Sequence, residues 1–153
     1  MNELMAVGQS TYPAIVRRSV RLGKTQGEIV QRIMATSVQN ELTDELKGFK
    51  SLLNRKGLTD SRGDAIYAAV QRQIYSALGL SEAQKKALKG DSHYPLLDCF
   101  TEHQLLAVNE VKLRLIRIYR TDMQAGVLRD VTNATVRETL KAVGAYYRGV
   151  FGE

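Results

Sequence analysis

Wrapped at 3.6 residues per turn, the stretch Thr101 to Met123 puts Leu105, Val108, Val111, Leu115, Ile118 and Tyr119 on one face and Arg114, Arg117 and Arg120 on the other. The pattern predicts a long amphipathic helix, opened by a Thr101–Gln104 cap and stopped just before Gly126. Helical periods recur along the rest of the chain. Pro13 opens a short helix through Leu22, and Gly23 closes it. Thr25 and Glu28 form a capping box for a helix from about Gln26 to Met34 or beyond, and a further helix runs from Asn40 to Arg55 on Leu42, Leu46, Phe49, Leu52 and Leu53.

Asp60 or Ser61 caps the next apolar stripe, Ile66, Val70, Ile74, Ala77 and Leu78, which Gly79 ends. Ser81 and Gln84 open a short basic helix carrying Lys85, Lys86 and Lys89, and Asp91 to Pro95 is a loop. A last helix spans roughly Asn133 to Phe151 on Val136, Leu140, Val143, Tyr147 and Val150. No segment alternates at period two between turn pairs, so the expected class is all-α, an irregular bundle of about six or seven helices. Residues 1–11 show no period and read as a flexible arm, which leaves 12–153 as one helical domain.

At 153 residues and 44% apolar content the chain suffices for one sizeable core. A lone cysteine, Cys99, forms no internal disulfide, and no apolar run approaches the roughly 20 residues that span a bilayer. Met1 to Ser10 lacks the basic start and apolar centre of a secretory signal, so the expected compartment is the cytoplasm, with no membrane partner.

The formal charge of +6 favours an acidic partner. Two basic segments stand out. Lys112, Arg114, Arg117 and Arg120 line the solvent side of the long helix, with no acid between Glu110 and Asp122. Ala14 to Ile33 has the spacing of a helix-turn-helix, with Arg17, Arg18, Arg21, Lys24 and Arg32 nearby and a second helix that would enter the major groove with Lys24, Gln26, Gln31 and Arg32 near bases or phosphates. Leu106 and Leu113 lie seven residues apart among the arginines, off the main apolar face, which suits a protein partner unless another helix of the chain covers them.

Other chemistry is thin. His93, Asp98, Cys99, Glu102 and His103 cluster in sequence without the spacing of a zinc site, and neither a Gly-x-Ser-x-Gly elbow nor a phosphate-binding glycine loop is present. No cofactor, metal or catalytic residue is expected. Tyr146, Tyr147, Val150 and Phe151 on the last helix are candidate homodimer contacts.

From Asp64 to about Tyr119 the chain reads Asp-Ala-Ile-Tyr-Ala-Ala-Val, then Ile-Tyr-Ser-Ala-Leu-Gly-Leu, a lysine-rich short helix and Leu-Leu-Asp-Cys-Phe-Thr-Glu-His-Gln-Leu-Leu. This segment resembles the helical C-terminal regions of phage and prophage antirepressor-type proteins. The resemblance implies a small phage or mobile-element regulator that acts by contact with DNA or protein. The leading expectation is therefore a non-enzymatic regulator that binds nucleic acid through its basic helices. The alternative is an inhibitor or adaptor that binds a protein through the cationic, leucine-bearing face.

Overall fold

In the computed structural model the described residues are 12–58, 62, 65–126 and 129–152; the arm at 1–11 and the Asp60/Ser61 cap lie outside them. The described residues form six α-helices and one 3-10 helix, with no strand among them: α1 (Tyr12–Arg21), α2 (Gln26–Arg55), α3 (Ile66–Ala77), α4 (Glu82–Lys89), a 3-10 helix (Leu96–Cys99), α5 (Glu102–Ala125) and α6 (Arg129–Tyr146). The fold is an all-α bundle.

The expected caps are present. Thr25, Ser81 and Thr101 each accept from the backbone N–H three residues on, and the Glu or Gln at that position accepts from the cap's own N–H. Gly23 turns α1 into α2 at φ 70°, with Lys24 N–H bonding Ser19 O and Gly23 N–H bonding Val20 O.

Two boundaries differ from expectation. The helices expected at 26–34 and 40–55 are one 30-residue helix. Residues 35–39 contain no glycine or proline, and Ala35 and Val38 continue the buried stripe from Arg32 to Leu42. The last helix starts earlier than expected and stops at Tyr146. Beyond it Gly149 takes φ 80° and the chain folds back, so that Phe151 meets Phe100 at 4.9 Å between ring centroids.

α5 is the central helix. Gln31 on α2 meets Asn109 on α5, and Glu41 and Glu45 on α2 meet Arg120, so α2 and α5 run parallel. The connection that parallel neighbours require is the long excursion through α3, α4 and the 3-10 helix. α6 returns antiparallel to α5, with Tyr147 bonding Glu110 near the start of α5. α3 and α6 pack together beneath α2 and α5, while α1 lies outside them as an antiparallel hairpin with α2, where the Tyr12 and Ser37 hydroxyls bond at 2.8 Å.

One core fills the centre. Its largest fully buried members are Tyr119, Phe100, Leu42, Leu46, Ile66, Ile74, Leu105 and Leu115, and Phe49 stacks on Tyr119 at 5.0 Å. The 3-10 helix, absent from the sequence expectation, carries Asp98 into the interior beside the wholly buried Phe100.

Candidate functional site

The expected cationic surface is largely consumed inside the molecule. Arg18 on α1 and Arg32 on α2 each place Nε on one oxygen of Asp98, at 2.7 and 2.6 Å, and only 1% of the Asp98 side chain is exposed. Arg32 also donates to Thr36 Oγ1 at 3.1 Å. Two guanidinium groups therefore close over one carboxylate and tie α1, α2 and the 3-10 helix together. Lys24 bonds Phe100 O at 3.2 Å and pairs with Glu28 at 3.5 Å.

Lys112 was expected on the solvent side of α5, and the structure corrects this: the residue is fully buried. It lies one helical turn from Val108, Asn109, Leu115 and Ile116 and two from Leu105, on the inward half of the wheel, because the buried arc of this central helix is far wider than its apolar stripe. Its Nζ has no hydrogen-bond partner among the described residues. Burial, with the Arg32 charge adding, brings the amine down to about 8.

The outer arginines of α5 also meet acids. Arg114 pairs with Glu110 at 2.9 Å, and Arg120 reaches Glu41 and Glu45 on α2 at 2.8 and 2.7 Å. Glu110 accepts from the Tyr147 hydroxyl as well, and the Tyr147 and Arg114 bonds lower its pKa. Burial and the Glu110 charge push Tyr147 up to about 12. Of the expected cations, Arg17, Arg21 and Arg117 remain exposed with no acid partner among the described residues.

The second element of the expected helix-turn-helix is the first turns of α2, which pack against α5. Gly27 lies against the Glu102 carboxylate, 2.5 Å from where a Cβ would stand, so a side chain there would displace the end of Glu102. Gln31 accepts from Asn109 Nδ2 through both its backbone and side-chain oxygens at 3.2 Å, and Arg32 is held by Asp98.

What the outer side of α1, α2 and α5 does offer is apolar. Leu106 is 42% exposed and Leu113 43%, with Val30 at 52% and Met34 at 41%. No helix of the described chain covers the two leucines. At a helical period Val30 and Met34 fall on the edge of α2 beside Gly27 and Gln31, while Leu106 and Leu113 fall on the edge of α5 beside Glu102 and Asn109. The Gly27–Glu102 and Gln31–Asn109 register sets Val30 level with Leu106 and Met34 level with Leu113. On α1, Arg18 turns to Asp98, and Val16 and Val20 on the opposite edge of that helix are also exposed. The apolar row in register thus spans the edges of α2 and α5, and Arg17, Arg21 and Arg117 are exposed on α1 and α5.

The remaining candidates resolve plainly. No group of histidine, cysteine and carboxylate that could hold a metal occurs among the described residues. Tyr147 and Phe151 join the core and Val150 packs against it, leaving Tyr146 as the exposed member of the expected homodimer contact. No helix among the described residues is long and apolar enough to cross a membrane.

Sequence reasoning missed one surface. Between α3 and α6 runs a depression of about 490 Å³ lined by Ala69, Arg72, Gln73, Ser76, Arg137 and Leu140. It continues past Gly144 to Arg148 and Gly149. The signal was present as Arg137 and Lys141 one turn apart on α6 and Arg148 just beyond its end, but no apolar gap marked it. Comparison of the chain with protein-family models, with curated proteins and with solved structures finds no match.

Proposed function

We propose that this protein is a small non-enzymatic regulator that acts by binding another protein, as an inhibitor or adaptor, through the outer face of α1, α2 and α5. The observation that carries this reading is the exposure of Leu106 and Leu113 in register with Val30 and Met34. Soluble monomers seldom leave apolar side chains grouped in this way, and a patch rimmed by arginine has the composition of an interface. The resemblance of residues 64–119 to antirepressor-type regions agrees with a phage or mobile-element regulator that works by contact. Nucleic-acid binding by this same face is less well supported, since Arg18, Lys24, Arg32, Arg114 and Arg120 already hold acids and Lys112 is inside.

The test is capture of a partner by the tagged full chain and by the Leu106→Glu/Leu113→Glu variant. Both positions are exposed, so the variant keeps its fold, which circular dichroism checks. A genuine interface gives one defined stoichiometry and loses at least about 30-fold in affinity in the variant, the effect of truncating a hot spot. Equal capture by both proteins removes this face from the reading.

A further inference from the structure

We infer that the groove between α3 and α6 is a binding site for a single strand of nucleic acid, gripped through its phosphodiester backbone. The site is separate from the α1–α2–α5 face and stands without the protein-binding reading. Arg72 on the α3 bank, Arg137 on α6 and Arg148 in the turn that follows line the groove, and Lys141 stands one turn beyond Arg137 on α6, outside the lining. All four are exposed, and none is ion-paired to an acid among the described residues, unlike most of the cations on the other side of the molecule.

Their spacing suits a linear polyanion. Arg137 and Lys141 stand one turn apart on α6, and Arg148 lies in the turn just past its end. From Arg137 to Tyr146 the helix rises about 14 Å at roughly 1.5 Å per residue, a length that takes several phosphates. The floor is built for close approach. A Cβ at Gly144 would lie 2.3 Å from Ala77 O, so only glycine lets α6 settle against the end of α3. The lining between the banks is mostly small or polar, with Ala69, Gln73, Ser76, Ala77 and Ala145 beside Leu78 and Leu140, and the depression is shallow and open to a chain of linked phosphates.

The nearby acids do not fill the site. Glu82 is bonded to Lys85 at 2.9 Å while its charge also reaches Arg72, Asp130 is bonded to Arg129 at 3.1 Å, and Glu138 lies about 100° around α6 from Arg137 and one turn before Lys141. A cationic channel that tracks a backbone, with planar guanidinium groups available to stack on bases, is the general design of sequence-tolerant single-strand binders.

The experiment is fluorescence anisotropy of a labelled twenty-nucleotide oligothymidylate with the full chain across a salt series. Micromolar binding at low salt is expected. Each phosphate contact removed should flatten the slope of log K against log salt by about 0.7, so Arg137→Gln/Lys141→Gln/Arg148→Gln should flatten it by about 2. The triple variant Arg17→Gln/Arg21→Gln/Arg117→Gln removes the same formal charge from the other face and should keep the wild-type slope. Absence of binding at low salt overturns the inference, and so does an equal loss in both variants, which would report net charge alone. Duplex DNA competing as well as the strand overturns the single-strand assignment. Matching urea midpoints establish that both variants are folded.

Discussion

The α1–α2–α5 face and the α3–α6 groove lie on opposite sides of one core and treat charge in opposite ways. On the first, arginines are spent on neighbours: Arg18 and Arg32 on Asp98, Arg120 on Glu41 and Glu45, Arg114 on Glu110. The surface left over is apolar. On the second, Arg72, Arg137, Lys141 and Arg148 are ion-paired to no acid among the described residues, and the surface is a shallow depression of small, polar and a few apolar side chains. A formal charge of +6 therefore says little about where cationic surface is available. Availability depends on which acids the tertiary structure brings alongside, and in the α1–α2–α5 layer it brings them from a distance in sequence.

The largest way to break the comparison is Asp98→Ala. It leaves Arg18 and Arg32 without their shared carboxylate, Arg32 in a buried site, and should cost about 3–5 kcal/mol in urea unfolding. Because Arg18 is a main tie between α1 and the bundle, amide exchange in α1 should rise more than in α6. A loss under 1 kcal/mol would mean that α1 is held by Ile15 and Ser19 packing instead.

Next is Lys112→Met, which replaces an unpartnered buried amine with an apolar chain of similar length. The sign follows from linkage. The unfolded lysine titrates near 10.4 and the folded one at about 8, so the folded state disfavours the proton. Below pH 8 the full penalty is present, on the order of 3 kcal/mol. It shrinks as pH rises from about 8 to 10.4, and above that it is gone. The variant should accordingly be more stable than wild type at pH 7, with the gap narrowing by pH 10, as urea midpoints at the two values would show. A gap that does not change with pH would assign the effect to packing.

The smallest expected effect is Arg120→Gln. Arg120 is half exposed, so solvent screens its pairs with Glu41 and Glu45, and the loss should be no more than about 1 kcal/mol. The variant sharpens the comparison in another way. It leaves Glu41 and Glu45 without a partner beside Leu113 and Met34, so capture of an acidic partner by that face should weaken at low salt and recover as salt rises. No change with salt would place the bound partner away from this end of the face.

Much of the bundle was legible because local signals agree with the fold. Thr25, Ser81 and Thr101 announce their helices by side-chain chemistry within three residues, and Gly23, Gly79 and Gly126 end theirs by backbone conformation. The stripes of α3 and α5 were correct for the same reason. The candidate surfaces were only half legible. Leu106 and Leu113 stood out because they break the period, and they do face solvent. Val16, Val20, Val30 and Met34 did not stand out, since their grouping depends on how α1 and α5 lie against α2.

The sequence by itself determined the helical class, most helix ends, the composition of the core and the sum of the charges, all of which follow from contacts within a few residues or from composition. Only the tertiary structure decided that Lys112 faces inward, that Asp98 sits between Arg18 and Arg32, and that Gly144 lets α6 close onto α3. Those outcomes depend on which helix lies beside which and in what register. A periodic pattern can show that a helix has an inside, but the breadth of that inside and the identity of its charged neighbours are set by segments far away in the chain.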